Sequence, residues 1–193
     1  MRLGKGGQID RAARIAFRFD GHRYEGFEGD TLASALLAND IRLVGRSFKY
    51  HRPRGVLTAG SEEPNALVTV GQGAAQDPNI RATMLELYAG LEARSQNAWP
   101  SLELDLLAVN DLAAPFLSAG FYYKTFMWPR AFWERVYEPL IRRAAGLGAL
   151  SGQSNADRYE RAFAHCDLLV IGAGPAGLMA ALTDSPVQTG RPA

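Results

Sequence analysis

The residues with the clearest chemical potential form one short run, Gly172-Ala173-Gly174-Pro175-Ala176-Gly177. An almost continuous apolar stretch, Cys166-Asp167-Leu168-Leu169-Val170-Ile171, precedes it, and Leu178-Met179-Ala180-Ala181-Leu182 follows. Strand, glycine-rich turn and helix in that order make the phosphate-binding turn of a dinucleotide fold. Gly172 permits the tight turn, Gly174 lets the backbone approach a pyrophosphate, and Gly177 lets the helix pack close to the strand. Free N–H groups at the helix start, and the positive end of its dipole, then face the phosphates. The competing reading is a glycine-rich βα turn with no ligand. The flanking strand and helix patterns favour the fingerprint.

Such a fingerprint expects an acidic residue about 20 positions further on, to hold the ribose. Only 16 residues follow Gly177, and they include Asp184, which comes too early, and Pro186, Gly190 and Pro192, which suit neither helix nor strand. Residues 183–193 therefore read as an unrelated tail, of the kind a frameshift or a truncated gene gives. A half-made βαβ unit without its ribose clamp is expected to hold a dinucleotide weakly.

Other reactive side chains are scattered. His22, His51 and His165 lack metal-ligand spacing, and no Ser–His–Asp set, paired carboxylates or HExxH motif is readable, so no catalytic residue and no metal ligand is assigned. Arg46, Lys49, Arg52 and Arg54 place four positive charges between Gly45 and Gly55 without an acid. That loop either contacts an anion or a partner surface, or is solvated and salt-bridged to Glu62 and Glu63. Phe121, Tyr122, Tyr123, Phe126, Trp128, Phe132 and Trp133 read as core or subunit interface. Lys124 reads either as a flavin or oxygen neighbour or as a surface lysine whose stem covers apolar area. Cys166 reads as an inert small hydrophobe.

The elements that must carry these residues begin with a glycine-rich, basic arm over residues 1–13, mobile or draped. Ile15-Ala16-Phe17-Arg18-Phe19 and His22-Arg23-Tyr24-Glu25-Gly26-Phe27 alternate around Asp20-Gly21, a strong hairpin signal because both turn positions require positive φ. Asp30-Thr31 caps a helix running to Asn39-Asp40, with Leu32, Ala35 and Leu36 at helical spacing. A short strand or extended return is expected over 41–44, a long Gly/Pro-punctuated loop over 45–66, and a last strand over 66–70. Loops beyond about 12–15 residues are usually functional or interface-forming. Further on, 84–91 reads as a short helix or strand and 104–109 as a strand. A helix is expected over 132–145, broken at Pro139, and a short one within 157–161.

Two strands, a helix and further short strands are the order of a β-grasp domain. The predicted architecture combines α+β and α/β: a ferredoxin-like β-grasp module over 1–95, a helical connector with the aromatic block over 96–164, and the beginning of a Rossmann-type NAD/FAD-binding domain over 165–182. A β-grasp module raises the question of a [2Fe–2S] cluster, which needs four thiolates or two thiolates with two histidines. The loop over 45–66 occupies the place of such ligands and holds none, and the sole cysteine, Cys166, lies outside the module. The module is therefore expected to be structural, with no iron–sulfur cluster.

The chain has 193 residues, 47% hydrophobic and 21% charged, with formal net charge +1, within the range of globular rather than disordered proteins. A near-neutral chain with one short basic patch gives little counterion-release affinity, which argues against nucleic-acid binding. No apolar run approaches the ~18 residues of a membrane span, and no signal peptide is visible behind Met1-Arg2-Leu3-Gly4-Lys5. A single cysteine rules out an internal disulfide and fits a cytoplasmic setting.

Several longer runs then carry a family resemblance: residues 29–38 (GDTLASALLA), 47–55 (SFKYHRPRG), 63–66 (EPNA), 119–126 (AGFYYKTF), and His165-Cys166-Asp167 before the fingerprint. From about Arg2 to Leu182 the chain resembles the α subunit of heterotetrameric sarcosine oxidase. The resemblance implies a bacterial enzyme that oxidatively demethylates sarcosine to glycine, reducing O2 to H2O2 and passing the one-carbon unit to tetrahydrofolate. It implies NAD on the α subunit, FAD on a β subunit with FMN near their boundary, and β, γ and δ partner chains. Gly172, Ala173, Gly174, Pro175, Ala176 and Gly177 match the family's NAD pyrophosphate site, whereas its folate-binding region lies toward a carboxyl end absent here. Two other readings stand beside this one: a non-enzymatic β-grasp assembly piece, and part of a related flavin/NAD-dependent oxidoreductase of secondary amines or opines.

Overall fold

A computed structural model describes residues 2–115, 120, 128–154 and 158–184. It divides into two compact units, residues 1–156 and 157–193.

The first unit starts with the predicted hairpin. β1 (Asp10–Phe19) pairs antiparallel with β2 (His22–Glu28), Phe19 opposite His22. Asp20 and Gly21 both adopt positive φ, 48° and 81°, as the tight turn requires. Alternation then buries Phe17 and Phe19 on one face. Helix α1 (Leu32–Ala38) is capped by Thr31, whose hydroxyl accepts from Ser34 N while the Ser34 hydroxyl accepts from Thr31 N. Its buried face, Leu32, Ala33, Ala35 and Leu36, packs into the core with Phe17, Val68 and Leu91. Each fully buried large side chain contributes about 1.5–3 kcal/mol. At the far end Asn39 Nδ2 donates to the Ala35 and Glu25 carbonyls, joining the helix to β2.

Within the segment expected as a long loop lie β3 (Gly45–Arg46) and β4 (Pro53–Arg54), which form a two-stranded ribbon. β5 (Leu67–Val70), β6 (Asp77–Arg81) and β7 (Glu92–Ser95) complete the main sheet, ordered β2-β1-β7-β5-β6. β7 runs parallel to β1 and antiparallel to β5 at the sheet's centre. A mixed five-stranded sheet crossed by one helix is the β-grasp, ferredoxin-like arrangement.

Several sequence expectations are corrected. The strand over 66–70 is not the last, because β6 and β7 follow it. Of the two readings of residues 41–44, the extended return rather than the strand is found, with Val44 N donating to the Arg54 carbonyl and leading into the ribbon. Residues 84–91 are turns that drop Leu87 and Leu91 into the core, with a single bridge between Thr31 and Glu86. The strand over 104–109 is replaced by a 3-10 helix, Leu106–Ala113, because Asp105 caps its Leu107 N–H. The helix over 132–145 exists in three pieces, Arg130–Phe132 (3-10), Trp133–Tyr137 (π) and Glu138–Ala144 (α), with Pro139 in the first turn of the last. Lys124 and residues 121–127 of the aromatic block lie outside the described residues.

In the second unit, residues 158–161 form no helix and 166–171 form no strand. A parallel-type strand takes its backbone hydrogen bonds from neighbouring strands, and among the described residues none pairs with 166–171. The expected helix does form, over Pro175–Asp184.

Candidate functional site

The turn over 172–177 keeps the geometry its residue types require even without a paired strand. Gly172 has φ +102°. A Cβ at Gly177 would stand 2.2 Å from the Gly172 carbonyl oxygen, so only glycine fits there. A Cβ at Gly174 would meet nothing within 4 Å, leaving its backbone open to a ligand. Pro175 opens the helix, where its missing N–H costs no hydrogen bond, and Leu178 N donates to Gly174 O at 2.9 Å. Ala173 and Ala176 are exposed beside the turn. The turn can therefore present backbone N–H groups to an anion. The residues that flank it stay open as well: Leu169 is 71% and Ile171 86% exposed, too apolar to be designed for solvent alone.

Among the described residues, the first unit carries small surface clefts of about 170, 230 and 240 Å³. Its cleft beside the β3–β4 ribbon, lined by Arg46, Phe48, Arg54, Asn65 and Asn97, measures about 170 Å³. Cofactor pockets are usually about 300–1,000 Å³, so this cleft is too small for a dinucleotide or flavin.

What the loop over 45–66 does hold is buried charge. His51, with φ +52°, places Nδ1 2.7 Å from Asp105 Oδ2, and both side chains are fully buried. The other Asp105 oxygen accepts from Trp99 N and Leu107 N. The His51 Nε2 atom is buried without a hydrogen-bond partner among the described residues. Arg46 donates to the carbonyls of Leu102, Glu103 and His51. Arg52 reaches Asp111 at 2.9 Å and, like Lys49, lies over the Tyr50 ring.

Glu63 is not a salt-bridge partner of this basic run. Its carboxylate accepts from Leu57 N, Thr58 N and the Thr58 hydroxyl on one oxygen, and from Asn65 N and Ala66 N on the other. Burial pushes the carboxyl up, but the N–H groups of Thr58, Asn65, Leu57 and Ala66 outweigh it and hold the pKa below its ordinary value. Asp30 is a second buried carboxylate. Burial again opposes ionisation, and Arg2, Ser34 and Phe27 N, donating to it, overcome the penalty and lower its pKa. The amino-terminal arm is thus draped and pinned at Arg2. The burial of Glu63 and Asp105 is not legible in the sequence, because the backbone N–H groups and the His51 ring that receive them come from other parts of the chain.

Sheet, helix and loop define a ferredoxin-like β-grasp module. Residues 12–98 match the family model described as a 2Fe-2S iron-sulfur cluster binding domain. Over 182 residues, 94% of its length, the chain is 68% identical to "Sarcosine oxidase subunit alpha" of Rhizobium meliloti (strain 1021). It is 35% identical over 177 residues, 90% of its length, to the protein of the same name in Corynebacterium sp. (strain P-1). The chain is a homologue of the sarcosine oxidase α subunits, and it spans 18% and 13% of the lengths of these two relatives. The crystal structure of L-proline dehydrogenase from P. horikoshii is similar over 48% of this chain and 17% of that one. Its TM-score of 0.38 and 26% identity are too loose to bear on fold or function.

The cluster in the family description can be tested against the donors present. Residues 12–98 contain no cysteine, and their only histidines are His22, on the hairpin, and His51, committed to Asp105. Four thiolates, or two with two histidines, cannot be assembled from that set. The residues do not fit a [2Fe–2S] cluster.

Proposed function

We propose that this chain is the amino-terminal part of the α subunit of a sarcosine oxidase-type oxidoreductase, with Gly172, Ala173, Gly174, Pro175, Ala176 and Gly177 as the pyrophosphate-binding element for NAD. The observation that carries the reading is the extent of one match: 68% identity over 182 residues, 94% of the chain. The turn's geometry supports its share, with Gly177 closed to any side chain and Gly174 open.

In this reading the assembled enzyme oxidises sarcosine to glycine, reduces O2 to H2O2 and passes the one-carbon unit to tetrahydrofolate. Flavin supplies the redox chemistry, as FAD on a β subunit and FMN near the α/β boundary. This chain contributes no catalytic residue and is inactive alone. Its own residues bind and position: the turn offers N–H groups to the NAD phosphates, and the β-grasp module gives a rigid surface for β, γ and δ chains. In the connector, exposed Trp99, Leu112 and Trp128, at 60%, 82% and 84%, favour further partner contact.

Co-expression of the tagged chain with the β, γ and δ subunits of the Rhizobium meliloti enzyme tests the assignment. The proposal expects the partners to be retained on the tag, with no sarcosine-dependent H2O2 from the chain alone. Failure to retain any partner contradicts it. An assembly that oxidises another secondary amine or an opine in preference to sarcosine supports the related-oxidoreductase reading instead.

A further inference from the structure

The disagreement between family description and donor set has a structural answer in Glu63. A [2Fe–2S] cluster with its thiolates is an anion whose sulfurs accept hydrogen bonds. Backbone N–H groups turned inward around an anion form a concave nest that binds negative charge. The loop over 57–66 has that form. Four N–H groups, from Leu57, Thr58, Asn65 and Ala66, converge on one point from both ends of the segment. At that point sits the Glu63 carboxylate, 1% exposed, rather than a metal ligand.

We propose that this segment is an anion-binding nest whose occupant is the chain's own Glu63 carboxylate, standing in for a cluster as the charge that organises the loop. The carboxylate takes five hydrogen bonds, three on Oε2 and two on Oε1, including that from the Thr58 hydroxyl at 3.2 Å. Neighbouring contacts fix the nest from outside. The Thr83 hydroxyl donates to Gly60 O, and Arg81 Nε donates to the Glu63 carbonyl. Arg81 therefore addresses the backbone of Glu63, while the charge of the Glu63 side chain is met by neutral N–H groups and the Thr58 hydroxyl. Such a nest selects a small monocarboxylate: two oxygens, one charge and nothing larger than the side chain it replaces.

Removing the side chain while keeping the donors gives the test. In the Glu63→Ala chain, sodium formate or acetate should raise the melting temperature by several degrees, with no such rise in the native chain or with sodium chloride at equal ionic strength. In the Glu63→Gln chain, amide hydrogen exchange at Leu57, Thr58, Asn65 and Ala66 should accelerate at least tenfold while the β1–β2 hairpin keeps its protection. If Glu63→Ala is unfolded without additive, recovery of the native amide spectrum with formate is the expected result. The proposal is overturned if sodium chloride rescues as well as formate, if formate has no effect on Glu63→Ala, or if the four amides stay protected in Glu63→Gln.

Discussion

His51 and Asp105 lie 54 residues apart in sequence and meet fully buried, with Nδ1 2.7 Å from Oδ2. The pair fastens the basic loop to the connector, since Asp105 also receives the N–H groups of Trp99 and Leu107. Removing either partner leaves buried polar atoms of the other without their hydrogen bond, which costs about 1–3 kcal/mol. His51→Ala and Asp105→Ala are each expected to lose about 1–3 kcal/mol in urea denaturation, and the double variant clearly less than their sum. Strict additivity would show that the two residues do not act together.

Asp30 gathers more of the fold than its position before a helix suggests. Arg2 donates to it twice at 2.7 Å, and Ser34 and Phe27 N also reach it. Hydrogen bonds to a charged group contribute about 1.5–3 kcal/mol each. Asp30→Ala is expected to lose about 3 kcal/mol and Arg2→Ala about half that, because Arg2 is partly exposed and screened. Equal losses would mean that the arm, not the helix start, is the stabilised element.

Acid should loosen the first unit in a defined direction. Asp30 and Glu63 both have folded-state pKa values below their ordinary 3.8 and 4.5. The unfolded chain therefore takes up protons first. The stabilisation is whole above the ordinary values and is lost as pH falls through the folded ones. Melting temperature should fall below about pH 4.5, with a shallower fall in Glu63→Gln. An unchanged acid slope in that variant would remove Glu63 from the account.

Gly177→Ala separates the two units. The new Cβ collides with the Gly172 carbonyl at 2.2 Å, and backbone cannot yield as a flexible side chain can. The turn should open and any dinucleotide response disappear. The urea unfolding free energy of the β-grasp unit should stay within about 0.5 kcal/mol of native, since Gly177 is not part of its core. A drop in that free energy would contradict the independence of the turn.

Legibility in the sequence followed the strength of local signals. Asp20-Gly21 fixed the hairpin because two positive φ values leave few residue choices. Thr31 announced the helix because a hydroxyl there can satisfy free N–H groups. β6 and β7 were hidden: β6 contains Pro78 and a positive-φ Asn79, and β7 is Glu92-Ala93-Arg94-Ser95, whose buried contact is a single alanine. A central strand that short is held by its neighbours' ladders, which no local pattern encodes. The apolar run over 166–171 misled in the opposite sense, since hydrophobicity marks what a segment could pair with, not whether a partner is present. In the candidate site, the glycines of the turn were readable from their spacing, and the fold requires two of them, Gly172 for its positive φ and Gly177 for its contact with the Gly172 carbonyl. Glu63, Asp105 and the buried His51 were not, because their roles come from segments brought together across the fold.

The central claim is that the turn over 172–177 is a pyrophosphate site, and titration of the isotope-labelled chain with NAD, followed by amide NMR, tests it most directly. The account predicts saturable shifts confined to Gly172, Ala173, Gly174, Ala176, Gly177 and Leu178, and none in Gly177→Ala. Silence of these amides at saturating NAD, or shifts centred on the β-grasp module instead, would contradict it.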